Sequence, residues 1–331
     1  MSLPVWGEGR DTLMDVRHIS FRLLQVFVTV VRTGSVSRAA AQLHLTQPTV
    51  SLQLKRLAEA VGAPLLEARD GAQRPTFVGE ELFRAARDVL NRFEDFGDFV
   101  SLAGRGHRGR FSIGVVTTAK YVLPRLLGGF YPLFPDVEVT INVGNRGHVL
   151  QRHREGADDL YLFSHPPDGD GTLAARFLAN PLVMIAPQGH WAEGRRQVTM
   201  AELAGERFLF REPGSGTRMV FENWLRERAI RLARIMQVES NEVIRLGVES
   251  GLGLAVLSEH TISAGSEALA VLDVTGFPLG SHWYLVCHGN RRLPEAARQF
   301  VRYVDSHLAE CVDARYIHNE LGPLLRHVEG P

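Results

Sequence analysis

The chain has 331 residues, of which 45% are hydrophobic and 22% charged. That composition describes a globular chain of about two domains and excludes collagen-like, disordered and purely coiled-coil architectures. Thirty-seven basic residues balance 37 acidic ones, yet between residues 17 and 74 eight basic residues stand against three acidic. A basic segment on a neutral chain is the mark of a local polyanion-binding module. No run approaches the ~18 uninterrupted apolar residues of a membrane helix. The N-terminus lacks the basic start and apolar stretch of a secretory signal, so a cytoplasmic protein without membrane contact is expected. Cys287 and Cys311 are too few for a disulfide framework and read as reduced thiols.

Residues 1–17 are polar and aperiodic and read as a loose arm. From Ser20, apolar residues recur at helical spacing (Phe21, Leu24, Phe27, Val28, Val31), and Gly34 closes that helix. Ser35 caps a short second helix that turns Val36, Ala39, Ala40 and Leu43 inward. His44 and Leu45 make a tight connection. Thr46 caps a third helix with Pro48 in its first turn, where no intrahelical donor is needed. Val50, Leu54 and Leu57 face inward on it, and Gly62 ends it. Two extended pieces, 64–67 and 74–77, flank an Asp70-Gly71 turn and form a small wing.

A single long helix is expected from 79 to about 103. Leu82, Ala86, Val89, Phe93, Phe96, Val100 and Ala103 follow one another at steps of four and three. Such a heptad seam suits a helix–helix dimer contact, docking on its own domain being the other outcome. The basic, glycine-rich run 104–110 reads as a hinge. Beyond it strand-like and helical stretches alternate, which implies an α/β domain with mainly parallel sheets and ligand clefts at strand ends. The expected division is an arm (1–17), an N-terminal all-α winged helix-turn-helix (18–78), a linker helix (79–104), a hinge (105–110), a two-lobed α/β domain (111–311) and an uninformative tail (312–331). Its first lobe comprises 111–184 and 270–311, its second 185–269.

Three short helices, a tight turn and a wing within about 60 residues describe a winged helix-turn-helix. Its third helix presents Gln47, Pro48, Thr49, Ser51, Gln53, Lys55 and Arg56, side chains that reach base edges or phosphates in a major groove. Arg38 on the second helix and Arg69 and Arg74 on the wing suit phosphate or minor-groove contacts. Any one of these alone reads equally as a solvated surface; together they make double-stranded DNA the expected partner.

The runs Phe21-Arg22-Leu23-Leu24-Gln25-Val26-Phe27, Thr33-Gly34-Ser35-Val36-Ser37-Arg38-Ala39-Ala40, Leu43-His44-Leu45-Thr46-Gln47-Pro48-Thr49-Val50-Ser51 and Gly62-Ala63-Pro64-Leu65-Leu66-Glu67 resemble the LysR-type transcriptional regulators. The wing departs from that pattern: Leu65-Leu66-Glu67-Ala68 stands where the family commonly has Leu-Phe-Glu-Arg, so Arg69 takes the arginine's place one position later. The resemblance implies a DNA-binding module, a dimerising linker helix and a periplasmic-binding-protein-like effector domain. It further implies a dimer that pairs into a tetramer, an operator of double-stranded DNA, and engagement of RNA polymerase.

Arg211-Glu212-Pro213-Gly214-Ser215-Gly216-Thr217-Arg218 follows a strand and opens a helix. Its glycines permit a tight turn, and its N–H groups and hydroxyls make an anion seat, with a plain glycine turn and N-cap as the alternative. Arg218 is expected to add a bidentate contact to the anion. Thr117, Thr118 and Lys120, Asn145, His165 and Asn241 lie at comparable strand ends. With Ser215, Gly216, Thr217 and Arg218 they are the effector candidates that the family resemblance implies. Thr118-Ala119-Lys120-Tyr121, Asp158-Asp159-Leu160-Tyr161, Ser164-His165-Pro166-Pro167 and the 211–218 run are most similar to the CbbR type, regulators of carbon-fixation (Calvin cycle) operons. That resemblance implies a non-covalent effector, a phosphorylated sugar or other small anion, and no cofactor. A regulator of sulfur, nitrogen or aromatic metabolism, or a ligand-binding or hydrolytic protein that ignores DNA, remains the alternative.

No catalytic or metal site is expected. His148 and His153, and His282 and His288, lack a metal-ligand spacing with supporting cysteines or carboxylates. Ser258-Glu259-His260 is contiguous, but a serine triad is a spatial arrangement.

Overall fold

The computed structural model describes residues 16–69, 71–102, 109–169, 171–262 and 268–329. The chain divides into two compact units, Met1–Phe99 and Val100–Pro331. Most of the expected arm, Ala103 and residues 104–108 of the expected hinge region lie outside the described residues, whereas Gly109 and Arg110, placed in the hinge, are the first residues of a strand.

In the first unit, helix α1 (Phe21–Thr33) starts at Ser20, whose hydroxyl accepts the Leu23 N–H at 3.3 Å, and stops at Gly34 with φ 62°. Helix α2 (Val36–Gln42) is capped by the Ser35 hydroxyl, which accepts from the Arg38 N–H. The connection to α3 (Gln47–Val61) turns at His44, φ 54°, and the Leu45 N–H reaches back to the Ala40 carbonyl at 2.8 Å. Thr46 holds the cap position of α3 but leaves the backbone uncapped; its hydroxyl pairs with that of Thr49 at 2.8 Å. Ala39 and Ala40 are small enough for α2 to pack closely over α1 and α3, where they meet Val26, Val30 and Val50, all buried.

The wing strands β1 (Leu66–Arg69) and β2 (Ala72–Pro75) pair antiparallel, each displaced two residues toward the turn from its expected place. The displacement follows from Thr76. Its hydroxyl donates to the Pro64 carbonyl at 2.7 Å and accepts the Gly79 N–H at 3.0 Å, so it starts the next helix. Helix α4 (Phe77–Leu102) therefore begins two residues before Gly79. Gly79 lies so close to the Leu65 carbonyl that any Cβ there would overlap it.

The seam of α4 divides. Ala86 is 1% exposed and packs, with Leu82 and Phe83, into the unit's own core beside Phe27 and Leu57. Ala86 is thus corrected from a dimer contact to a core residue, while Leu82 is half-buried against the same core. Val89, Phe93 and Phe96 stay exposed at 43%, 58% and 61%. Phe93 also meets Phe21 edge-to-face at 4.2 Å between ring centroids. The side chain of Val100 lies outside the described residues.

The second unit holds two five-stranded sheets. In chain order its elements are β3 (Gly109–Val116), α5 (Leu123–Phe130), β4 (Val137–Gly144), α6 (Arg146–Arg154), β5 (Leu160–Phe163), β6 (Thr172–Ala179), β7 (Leu182–Pro187), α7 (Met200–Leu203), β8 (Arg207–Phe210), α8 (Gly216–Glu227), β9 (Arg234–Gln237), α9 (Asn241–Glu249), β10 (Leu254–Ser258), β11 (Leu269–Leu272), β12 (His282–His288), α10 (Glu295–Cys311) and α11 (Gly322–Glu329). Lobe I is the sheet β4-β3-β5-β12-β6, with β3 parallel to both β4 and β5. Lobe II is the sheet β11-β7-β10-β8-β9, with β10, β8 and β9 parallel. Because β3, β4 and β5 run the same way, their C-terminal ends share one edge of lobe I, and those of β8, β9 and β10 share one edge of lobe II.

Two expected boundaries move. β7 and β11 are both strands of lobe II, so the chain crosses between lobes at Asn180-Pro181 and near Leu279–Ser281 rather than at 184 and 270. The tail is also no appendage. Tyr316, Leu321, Leu324 and Val328 are buried in the core of lobe I, which explains its order.

Candidate functional site

On α3 the exposed residues Gln47, Pro48, Ser51, Leu52, Lys55 and Arg56 recur at one-turn spacing, opposite buried Val50 and Leu57. The Ser37 hydroxyl donates to Gln47 Oε1 at 3.3 Å and fixes the first of these side chains. Leu52, 50% exposed, was not anticipated; an apolar group among polar ones suits a thymine methyl. Two expected contacts are turned aside. Thr49 is half-buried against Thr46, and Gln53 Oε1 is buried without a partner. Gln53 borders a groove of about 540 Å³ whose lining includes His18, Arg22 and Arg56. Arg38, Arg69 and Arg74 are exposed; Arg74 stands opposite Glu67 across the wing. The face is polar and locally basic and suits a major groove.

The second constellation lies where the strand ends of the two lobes meet. After β3, the Thr117 hydroxyl donates to the Gly144 carbonyl at 3.0 Å, and Thr118 is 8% exposed. After β4, Asn145 spends its Oδ1 on the His148 N–H at 2.9 Å and so caps α6. Arg146 then reaches across the end of β3 to donate to the His165 carbonyl, after β5, at 3.3 Å. Its Nε is buried without a partner.

Lobe II closes on this edge with two helix N-termini. Gly216, the first residue of α8, faces Ser164 and His165 so closely that a Cβ would collide with the Ser164 hydroxyl. Ser215 and Thr217, 5% and 8% exposed, carry hydroxyls with no hydrogen-bond partner among the described residues. Asn241, the first residue of α9, donates to Thr118 Oγ1 at 3.1 Å and accepts from Arg211. Arg211 and Glu212 form a buried bidentate pair at 2.8 and 2.9 Å. Unspent N–H groups at the start of α8, two hydroxyls and a guanidinium opposite make an anion site.

Two expected ligands are committed elsewhere. Arg218 binds Glu222 at 2.7 Å and the Arg211 carbonyl at 2.9 Å and lies over the Phe210 ring. It is a brace of α8, because Glu222 stands one turn along the same helix. Lys120 is ion-paired with Glu242, which also accepts from the Tyr121 hydroxyl at 2.6 Å. Burial pushes the Glu242 carboxyl up, but hydrogen bonds from Lys120, Tyr121, its own backbone and Ser240 outweigh it and hold the group at about 2. Burial, then the Arg146 charge, lowers His165, which leaves a neutral ring beside the site. Arg146 itself is lowered by burial against the pull of Asp168. Arg146, Ser164 and Arg211 were not among the expected ligands.

The remaining candidates are structural. His153 stacks on His288 at 4.2 Å, and among the described residues no cluster of three metal-binding side chains exists. Ser258 donates to Asn180 at 2.5 Å, and His260 bonds the Ala179 carbonyl, so serine and histidine do not form a nucleophile–base pair. Burial pushes the Cys287 thiol up to about 12; Cys311 lies 3.2 Å from the Tyr303 hydroxyl. No helix among the described residues is long and apolar enough to cross a membrane.

Comparison with known proteins bears on both constellations. Residues 21–80 match the family described as bacterial regulatory helix-turn-helix protein, lysR family, and residues 104–309 match the LysR substrate binding domain. A RuBisCO operon transcriptional regulator of Acidithiobacillus ferrooxidans is 37% identical over 293 residues, 88% of this chain and 95% of that protein. The HTH-type transcriptional regulator CbbR of Rhodospirillum rubrum is 37% identical over 298 residues, 89% and 98% of the two chains. The regulatory domain of CcmR from Synechocystis PCC6803, solved in complex with 2-PG, is 35% identical with a TM-score of 0.58; the match covers 62% of this chain and 99% of that one.

Proposed function

The chain belongs to the LysR family of bacterial transcriptional regulators, and on that footing we propose that it controls carbon-fixation genes in response to a small phosphorylated acid held between the lobes of its effector domain. One observation carries the ligand class: Arg146 spans the strand ends of lobe I with a buried, unpartnered Nε, opposite the open N–H groups of α8. Arg146 is half-buried, and a buried guanidinium N–H without an acceptor is costly; an anion supplies one. A phosphate suits the start of α8, where Ser215 and Thr217 add hydroxyls; a carboxylate suits Arg146. The relative solved with 2-PG (2-phosphoglycolate) supports a ligand of that size and charge.

In this reading the protein acts by binding, in the cytoplasm, without cofactor or catalysis. Two chains pair along Val89, Phe93 and Phe96, and two recognition helices meet an inverted repeat. Two dimers form a tetramer on the operator. The anion draws the lobes together because it touches both, so it favours one shape of the assembly over the other. That change alters the DNA bend and admits RNA polymerase.

Calorimetric titration of the full chain with 2-phosphoglycolate tests the ligand. Binding that Arg146→Gln weakens on the order of tenfold to a hundredfold supports the reading. Equal affinity in the variant would move the site elsewhere.

A further inference from the structure

The end of lobe II opposite the cleft carries a second organised surface. Arg207 and Arg234 are the first residues of β8 and β9, and they stand directly side by side in the parallel register. Neighbouring like charges on one sheet face destabilise it. Arg234 leans on the Gly205 carbonyl at 2.9 Å; the guanidiniums of Arg207 and Arg231, both exposed, have no hydrogen-bond or ion-pair partner among the described residues.

Beside them Trp191 is 45% exposed yet held in place. Its indole N–H donates to Glu206 Oε1 at 2.9 Å, and Arg195 lies 5.3 Å from its ring centroid. His190 accepts the Ala192 N–H on Nδ1 at 3.2 Å, so its Nε2 carries the proton that it gives to Glu206 at 3.0 Å. The loop is anchored below by Ala192, which is fully buried in the lobe II core.

The carboxylates nearby are already engaged. Glu206 serves His190 and Trp191, Glu193 accepts from the Gly189 N–H at 2.6 Å, and Glu202 caps α7. The Arg207 and Arg231 guanidiniums are not, and Arg234 and Arg195 are held only by a backbone carbonyl and the Trp191 ring. A pre-ordered, exposed tryptophan with Arg195 against its ring, bonded to the residue that precedes Arg207 at a strand start shared with Arg234, has the composition of a protein-interface hot spot.

We propose that Trp191, Arg195, Arg207, Arg231 and Arg234 form a docking surface for an acidic segment of another protein, one that sets an apolar side chain on the indole and carboxylates on the arginines. Interleaved Glu193 and Glu206 disfavour the unbroken phosphate rail of a duplex, and a duplex offers no apolar group to an upright indole. Arg207 and Arg234 start the strands whose far ends lead to the effector cleft, so a partner here leaves that cleft free.

The test uses the full chain and a fluorescein-labelled peptide in which aspartate and glutamate alternate with leucine and phenylalanine. Anisotropy is read for wild type, Trp191→Ala, Arg207→Glu with Arg234→Glu, and the milder Arg207→Gln with Arg234→Gln. The surface predicts binding that Trp191→Ala and the double glutamate variant weaken on the order of tenfold or more, and the glutamine variant less. Operator shift and the 2-phosphoglycolate response are retained. No peptide binding, or equal binding by all variants, would overturn the proposal. So would displacement of the peptide by a random-sequence duplex whose own affinity falls in the same variants, since that assigns the surface to nucleic acid.

Discussion

The Asn241 side-chain amide donates to the Thr118 hydroxyl at 3.1 Å, and that bond ties the first turn of α9 in lobe II to the turn that follows β3 in lobe I. Asn241 is 1% exposed, and its carbonyl is taken by the Arg211 guanidinium. The contact that joins the lobes is thus supported from behind by a charged group.

Removal of either partner should loosen the lobes by different amounts. Asn241→Ala strands a buried hydroxyl and a buried guanidinium hydrogen, and an unsatisfied buried group costs about 1–3 kcal/mol. Thr118→Val strands one group, the Asn241 amide N–H, while Asn241 stays bonded to Arg211, and should cost about 1 kcal/mol, the lower end of that range. Urea unfolding checks the order. A Thr118 variant as damaging as the Asn241 variant would mean that the Arg211 support carries little.

The exposed face of α3 should read DNA sequence. Gln47→Ala and Ser51→Ala should each reduce discrimination by about 1–3 kcal/mol, as lost base contacts do, with dimerisation intact. Lys55→Ala should instead weaken all sequences alike and reduce the salt slope by about 0.9. Competition binding over a salt series separates the two. Loss of the dimer in the first pair would show that this face packs inside the protein.

The divided seam of α4 separates folding from assembly. Phe93→Ser with Phe96→Ser should yield folded monomers by sedimentation, because both rings are mostly exposed. Phe83→Ala, in contrast, opens a cavity in the first unit's core and should cost about 3–5 kcal/mol. A dimer that survives the double variant contradicts the seam.

Acid should weaken the effector domain through His153. Burial, then the charges of His288 and Arg154, lower this imidazole to about 4 from its ordinary 6.5. Between those values the unfolded chain takes up a proton that the folded chain refuses. The contribution of a neutral His153 is therefore full above pH 6.5, declines as pH falls and is gone below about 4. The melting temperature should drop across that window, and His153→Phe, which keeps a ring against His288, should flatten the drop. An unchanged slope would place the titration elsewhere.

Much of this was legible because it is local. Ser20, Gly34, Ser35 and Gly62 set helix ends from within a few residues, and the alternation beyond 109 gave the α/β class. What escaped depended on distant partners. The apolar run of β7 reads as a buried strand in either sheet, and only its pairing with β10 and β11 assigns it to lobe II. Helix α11 has eight residues, too short for a clear period, and is ordered by packing on lobe I. Arg146 matters because β4 and β5 flank β3, a spatial fact absent from its sequence neighbourhood. The fate of Arg218 could have been read from Glu222, four residues on.

Whether an anion between the lobes changes how this regulator holds DNA can be read from a circularly permuted gel shift. The full chain is bound to duplexes from its own upstream region, with and without 2-phosphoglycolate. A specific, salt-sensitive complex is expected whose apparent bend changes on addition of the anion, with no change for Arg146→Gln. A footprint and bend unaltered by every phosphorylated acid tried would contradict that expectation.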